Sequence, residues 1–268
     1  MVLENRFNKL IEARHGTILY NKNDIYIGKS IEKYGEFSYL EEKIFEQICK
    51  DGDVVIEVGA NIGAHTLYLS KLVGNGYVFA FEPQRLVFQN LCANLALNSI
   101  SNVFAYQEAV SNENGTIIIP ECNFKENNNF GGINIENTKN GTTVNKQKLD
   151  NFLNKINRLK LLKIDVEGME ISVIKGASEL IKKFRPMIYV ENDRQEHSKE
   201  LIELLWSLDY KMYWHLPRLY NENNFFNDKE NIFGNIVSVN MFCIHKDSNI
   251  KILDMTEVLD SSFHPMKR

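Results

Sequence analysis

The sequence predicts an α/β fold built on a mostly parallel sheet with helices on both faces. Three observations predict it. Between residues 54 and 208, apolar runs of strand length alternate with segments whose apolar residues recur at helical spacing. Parallel neighbours need a crossover of a dozen or more residues, and the helical segments supply those crossovers. The first buried-type run, residues 54–58, leads straight into a glycine-rich turn, Gly59-Ala60-Asn61-Ile62-Gly63, and then a helix. Sheets of this kind bind ligands beyond the carboxyl ends of their strands.

Residues 17–20 and 24–27 alternate in polarity around the turn-like Asn21, Lys22 and Asn23, which reads as a β-hairpin. Ile44, Phe45 and Ile48 share a helical face, and Asp51-Gly52-Asp53 stops that helix. Residues 1–50 therefore read as a hairpin and helix packed on the core. Residues 77–81 form a second strand, Phe88, Leu91, Cys92 and Leu95 mark the helix after it, and residues 103–106 form a third strand. The stretch 111–145 is rich in Asn and Gly, with one strand at 116–119, and reads as an insertion over the sheet spanning about 111–150. The rhythm resumes with a strand at 159–164, a helix carrying Val173, Ala177 and Leu180 on one face, and a strand at 187–190. Leu201, Leu204, Leu205 and Leu208 mark another helix, and strands at 210–214 and 237–244 flank an aromatic and Asn-rich segment. Residues 51–246 thus make one domain, and 247–268 a tail.

At 268 residues with 44% hydrophobic content, the chain can build one sizeable core. The net charge of −4 offers no basic field for phosphate backbones, so nucleic acid is not an expected partner. The 4 cysteines contain no Cys-x-x-Cys pair, which excludes a zinc knuckle or redox dithiol and leaves them as small buried hydrophobes. No apolar run approaches the roughly 20 residues that cross a bilayer, so the expected location is cytoplasmic. The oligomeric state is not legible.

Glycine in the 59–63 turn lets the backbone bend sharply and approach a ligand without a Cβ. Asn61 stands where a dinucleotide fingerprint has its middle glycine, so a cofactor lacking a pyrophosphate fits better. The turn by itself is equally consistent with a tight strand-to-helix connection. Glu82 ends the second strand about 23 residues after Gly59, near the ~20 spacing of an acid that accepts ribose hydroxyls. Turn and acid together point to an adenosine site. Pro83 follows and can start the next helix, and Glu108, just past the third strand, falls near the adenine by the same geometry.

Asp165, Val166, Glu167 and Gly168 leave the fourth strand, and Glu191, Asn192 and Asp193 leave the fifth. These acids can offset a cationic ligand, take a proton, or serve only as helix-start carboxylates. His215 ends the sixth strand and is followed by Tyr220, Asn223, Asn224, Phe225, Phe226, Asn231 and Phe233. Aromatic faces with amides can hold a sugar, or the loop can pack on its own rings. Residues 127–132 can cover the same pocket from the insertion.

At these residues the chain resembles the FkbM family of S-adenosylmethionine-dependent methyltransferases. The matching stretches are residues 35–38, 55–66, 79–83 and 162–170, then Arg185-Pro186 with Glu191, and weaker likeness runs to Asn240. The resemblance implies a class I methyltransferase, Rossmann-like sheet of seven strands with the last antiparallel. It implies O-methylation of a hydroxyl on a sugar, a glycolipid or surface polysaccharide, or a natural product. It also implies Glu57, Gly59, Asn61, Glu82 and Asp165 as neighbours of S-adenosyl-L-methionine, with Glu57 standing where the family usually has Asp.

The expected chemistry is in-line displacement at the sulfonium methyl, in which the protein supplies alignment and charge stabilisation. A hydroxyl is a weak nucleophile, so a base is expected, with Asp165, Glu167 and His215 as the candidates. A divalent metal is compatible with these carboxylates, but no spacing indicates one. The alternatives are another small-molecule or nucleic-acid methyltransferase, an NAD-type oxidoreductase, or a non-catalytic module that binds glycan or cofactor. Asp165-Val166-Glu167 does not resemble the Asn/Asp-Pro-Pro-aromatic motif used on extruded bases.

Overall fold

A computed structural model of the chain describes residues 3–133 and 140–266. Residues 134–139 of the expected insertion, and the extreme ends of the N-terminal segment and the tail, lie outside the described residues. The chain opens with a small antiparallel sheet, β1 (Leu3–Glu4), β2 (Asn8–Ala13) and β3 (Gly16–Asn21). The hairpin therefore turns at Arg14 and His15, ahead of the expected Asn21-Lys22-Asn23. Asp24 is the physical reason: it is buried, and its Oδ1 accepts the Tyr26 N–H at 2.9 Å. That Asx-type turn leads into helix α1 (Ile27–Tyr34) instead of a second strand.

Helix α2 (Tyr39–Ile48) precedes the alternating units β4 (Val54–Val58), α3 (Ala64–Val73), β5 (Tyr77–Phe81), α4 (Arg85–Leu97) and β6 (Val103–Tyr106). Pro83 lies two residues before α4, outside the helix it was expected to start. Among the described residues the insertion holds two strands where one was expected, β8 (Gly115–Ile119) and β9 (Thr142–Gln147), and they form a sheet with β7 (Ala109–Val110), just before it, in the order β7-β9-β8. After a 3-10 turn (Leu149–Phe152) come β10 (Leu161–Ile164), α5 (Glu170–Gly176), α6 (Ser178–Phe184) and β11 (Met187–Glu191). The helix expected through Val173 and Leu180 is two helices that meet at the fully buried Ala177. Helix α7 (Gln195–Ser207), β12 (Tyr210–His215), β13 (Asn240–His245) and a short β14 (Thr256–Glu257) complete the chain.

The main sheet runs β14-β12-β13-β11-β10-β4-β5-β6. From β4 the chain steps outward to β5 and β6, then returns to β10 on the other side of β4. The last of the seven principal strands, β13, is antiparallel to both β11 and β12. This is the class I methyltransferase architecture, with β14 added at the edge beside β12.

Strands buried on both faces need apolar residues at successive positions. Ile56, Leu162, Ile164 and Ile188 face a core completed by α5, α6 and α7, while Val55, Leu161, Tyr189 and Phe242 face Phe45 of α2 and Leu69 of α3. Of the cysteines, Cys49 and Cys243 are buried in this way, but Cys92 is exposed and Cys122 half-buried.

Asn94 ties three elements together. Its side chain accepts from Leu19 N (2.6 Å) and donates to Leu19 O (3.0 Å) and Ile62 O (2.8 Å), which fastens α4 and β3 to the glycine turn.

Candidate functional site

The topology reverses between β4 and β10, so a crevice opens at their carboxyl ends. The turn after β4 forms its floor. Gly59 N–H and Ala60 N–H both donate to Phe81 O, at 3.0 and 2.9 Å, which binds the turn to the end of β5. Gly59 has φ +85°, and a Cβ there would lie 1.7 Å from Asp165 O, so only glycine lets β4 and β10 meet at this point. Gly63 has φ +86°, with Leu91 Cδ1 2.6 Å from the position of a Cβ. Asn61 has φ +50°, a left-handed conformation that Asn tolerates where most residues do not. Asn61 can therefore stand where a dinucleotide fingerprint has glycine without forcing the turn to change.

Two adjoining cavities share Gly59, Glu82, Gly131, Asp165 and Glu167. Glu82 is buried at the junction. Its Oε2 accepts Asn61 N–H at 3.0 Å and its Oε1 accepts Gln84 N–H at 2.8 Å. A carboxylate has about four lone-pair positions, so acceptor capacity remains for two hydroxyls. Burial pushes Glu82 up to about 7, because the backbone donors only partly offset the loss of water. Pro83 and Glu108 line the first cavity with Ala109 and Val166. One Glu108 oxygen is taken by Gln147 Nε2.

The second cavity holds a charged cluster that sequence reasoning resolved only in part. Glu57 pairs with Lys163 in register across β4 and β10. Thr66 Oγ1 donates to Glu57 Oε2 at 2.6 Å, and Lys163 Nζ lies 3.7 Å from Glu57 Oε1 and 3.1 Å from Asp165 Oδ2. Burial opposes the charge on Lys163, but Asp165, Glu57 and Glu41 outweigh it and keep the ammonium protonated. Glu41 of α2 is pushed up to about 7 by burial and is held by Ser38 and Asn240. Lys163, Glu41, His65 and Asn240 carried no assigned role in the sequence. A lysine inside the four-residue apolar strand β10 was the available signal, since a charge there must meet a partner.

Asp165, Glu167 and Glu191 each bring an oxygen within 4.8 Å of the others. Burial, then the neighbouring Asp165 and Asp193, raise Glu167 well above the usual carboxylate range, although Arg194 Nη2 donates to its Oε2 at 2.5 Å. Glu191 is raised strongly as well, by burial and by the same acids, and its Oε2 has no hydrogen-bond partner. Glu167 also has φ +56°, a strained backbone position of the kind that concentrates at functional sites. Carboxyl groups at this spacing can share a proton or hold an oxygen-ligated cation.

His215 stands apart from this group. Its Nδ1 is hydrogen-bonded to Tyr189 Oη at 2.7 Å, and it lines neither cavity. Burial lowers the imidazole to about 4, which makes it a poor proton acceptor at neutral pH. Of the two readings of the aromatic segment, the rings follow the packed one. Tyr220 and Phe233 pack on Tyr34 of α1 at 5.3 and 5.9 Å, and Asn224 bonds within its own loop. From that segment Leu219 and Ser238 line the second cavity, which takes its aromatic walls from Tyr26 and Phe37. Asn129, Gly131 and Gly132 of the insertion do cover it, with Phe130 buried and its carbonyl accepting from Gln84 Nε2 at 2.8 Å.

A family model described as "Methyltransferase FkbM domain" matches residues 57–212. Methyltransferase sdnD of Sordaria araneosa is 28% identical over 181 residues, covering 54% of this chain and 70% of that protein. Hexuronic acid methyltransferase AglP of Haloferax volcanii is 26% identical over 158 residues, covering 58% of this chain and 62% of that protein. A solved structure, methyltransferase FkbM from Methylobacillus flagellatus KT, has TM-score 0.46 and 20% identity. That match covers 72% of this chain and 44% of the longer protein. Among the described residues, no helix is long and apolar enough to cross a membrane.

Proposed function

Because the chain belongs to the FkbM methyltransferase family, we propose that it is an S-adenosylmethionine-dependent O-methyltransferase acting on a hydroxyl of a small molecule or glycan. The single observation that carries this reading is Glu82. A buried carboxylate, anchored to the Gly59–Gly63 turn through Asn61 N–H and retaining free acceptor capacity, is suited to a ribose. The donor set fits S-adenosylmethionine: adjacent cavities, a turn without room for side chains at Gly59, and an excess of carboxylates over ammonium groups beside it.

When bound, S-adenosylmethionine supplies an electrophilic methyl group. Gly59, Ala60, Asn61, Glu82, Pro83 and Glu108 would hold its adenosine. Glu57 acts through Thr66 and Lys163 to fix the end of β4, and Asp165 lies where the two cavities meet. Glu167 is the proposed base. Burial and its acidic neighbours bring its basicity toward neutral pH, where proton transfer is most effective. Arg194 holds Glu167 in place.

The relative named for hexuronic acid supports a sugar acceptor, a class that carries hydroxyl groups and, in that relative's case, a carboxylate as well. The net charge of −4 argues against nucleic acid. Titration calorimetry with S-adenosylhomocysteine and NAD separates this reading from an oxidoreductase, and methyl-labelling of cell-surface glycans and small hydroxylated compounds tests transfer. Tight binding with no transfer to any acceptor would favour a non-catalytic binding module.

The cluster of Asp165, Glu167 and Glu191 favours a second reading, in which a divalent cation there activates the hydroxyl. Turnover unchanged by a strong chelator removes it.

A further inference from the structure

Of the described residues that border both cavities, Gly59, Glu82, Asp165 and Glu167 stand at or just beyond the ends of parallel strands, whereas Gly131 comes from the insertion. Gly131 belongs to a short segment, residues 128–132, fastened to the N-terminal part of the chain on one side and to the start of α4 on the other. Asn128 N–H donates to Asn23 O at 3.0 Å, and Asn128 O accepts Ile25 N–H at 3.1 Å. Just upstream, Asn21 Nδ2 and Asn23 Nδ2 both donate to Phe124 O, at 3.0 and 2.9 Å. On the α4 side Gln84 Nε2 donates to Phe130 O at 2.8 Å, while Gln84 N–H donates to Glu82 Oε1 at 2.8 Å. Phe130 is buried and stacks on Phe124, with ring centroids 4.6 Å apart, and Gly132 N–H closes the turn onto Asn129 Oδ1 at 2.9 Å. A Cβ on Gly131 would stand 3.2 Å from Asn61 Nδ2 and 3.4 Å from Ile27 Cδ1, and both residues border the second cavity. The Gly131 backbone lies outside the left-handed region, so what glycine provides there is clearance, not conformational freedom.

We infer that residues 128–132 form a strap across the cofactor site and that Gly131 contacts the cofactor where it passes from one cavity to the other, an inference that rests on the methyltransferase reading above. Pro83 and Glu108 border only the first cavity, which takes the base end of the cofactor, and Glu57 borders only the second. A ligand gripped at Glu82 and extending into both must cross the junction that Gly131 borders. A side chain at 131 would enter among Asn61 and Ile27 and narrow that crossing. Gln84 is the positioning residue: its backbone holds the proposed ribose acid and its side chain holds the strap, so one residue sets the spacing between them.

The test compares S-adenosylhomocysteine with adenosine, which lacks the amino-acid arm, by titration calorimetry on the full chain. Gly131→Val should weaken S-adenosylhomocysteine about 10- to 100-fold, the range of an overfilled packed site, and adenosine by no more than about threefold. Gln84→Ala leaves the backbone bond to Glu82 intact but frees the strap. Dissociation of S-adenosylhomocysteine, followed by stopped flow, should then quicken about 2- to 10-fold, the worth of one hydrogen bond, while the melting temperature stays within about 4 °C of wild type. Independently of any variant, amide hydrogen exchange across residues 127–132 of the wild-type chain should slow when S-adenosylhomocysteine binds. Unchanged S-adenosylhomocysteine affinity in Gly131→Val, equal losses for both ligands, a wild-type dissociation rate in Gln84→Ala, or strap exchange indifferent to S-adenosylhomocysteine would each overturn the assignment. Failure of the wild-type chain to bind either nucleoside would instead remove the cofactor reading itself.

Discussion

Replacing Glu82 with Gln should separate ligand binding from folding. In the free protein the carboxyl is 3% exposed and shifted from 4.5 to about 7, which corresponds to roughly 3 kcal/mol against the ionised form. Its folded pKa lies above its unfolded value, so the associated stability is complete below about 4.5 and is lost as pH rises through about 7. Glu82→Gln removes that loss at pH 8. The new amide, however, turns a donor toward Asn61 N–H or Gln84 N–H, which costs about 1–3 kcal/mol. The two effects nearly cancel, and the melting temperature at pH 8 should stay within about 5 °C of wild type.

Binding should respond very differently. Hydrogen bonds from ribose hydroxyls to a carboxylate are worth about 1.5–3 kcal/mol each, and Gln retains only one acceptor oxygen. A net loss of about 2–4 kcal/mol weakens S-adenosylhomocysteine about 30- to 700-fold by titration calorimetry. Hydroxyl donors favour the ionised form, so wild-type affinity should be greatest above pH 7 and fall about tenfold per pH unit below it. A change of less than about threefold in the variant, or a wild-type affinity independent of pH between about 5.5 and 8, would refute the assignment of Glu82 to the ribose.

Three further outcomes follow from the same geometry. Gly59→Ala should prevent stable folding, because a Cβ meets the backbone oxygen of Asp165 at 1.7 Å, whereas Gly63→Ala meets a movable Leu91 methyl and should cost about 1–2 kcal/mol in a denaturant titration. Lys163→Met should lower stability by about 3–5 kcal/mol at pH 8 by leaving Glu57 and Glu41 uncompensated. Both acids already have raised folded pKa values, so that loss should shrink as pH falls and they protonate; a pH-independent deficit would contradict the network. Glu167→Gln should reduce kcat about 100-fold or more while His215→Phe leaves it within about threefold, and the reverse pattern would move the base to His215.

Much of the site was legible because its signals are local. Gly59, Asn61 and Glu82 sit at fixed distances along a strand-turn-helix-strand unit, and their backbone roles and the ribose role proposed for Glu82 follow from that spacing. The N-terminal hairpin was misplaced because polarity alternates both before and after residue 16, and only the burial of Asp24 decides where helix α1 begins. Helix α5 was read through to α6 because the buried face continues across Ala177. Sequence leaves the aromatic segment after β12 open between two readings, because ring and amide composition is the same whether the rings face a sugar or Tyr34.

The order of apolar and glycine-marked segments along the chain determined the parallel sheet, its first crossover and the acid at the end of β5, since each depends on neighbours close in sequence. Tertiary structure alone decided which charges meet. Lys163 finds Glu57 because β10 returns beside β4, Glu41 joins them from α2, and Asp165 and Glu167 meet Glu191 because β11 lies next to β10. Proton affinity depends on burial and on charges a few ångströms away. Those distances are set by strand neighbours that the chain reaches only through a crossover, as Glu57 and Lys163 are, and no local pattern encodes them.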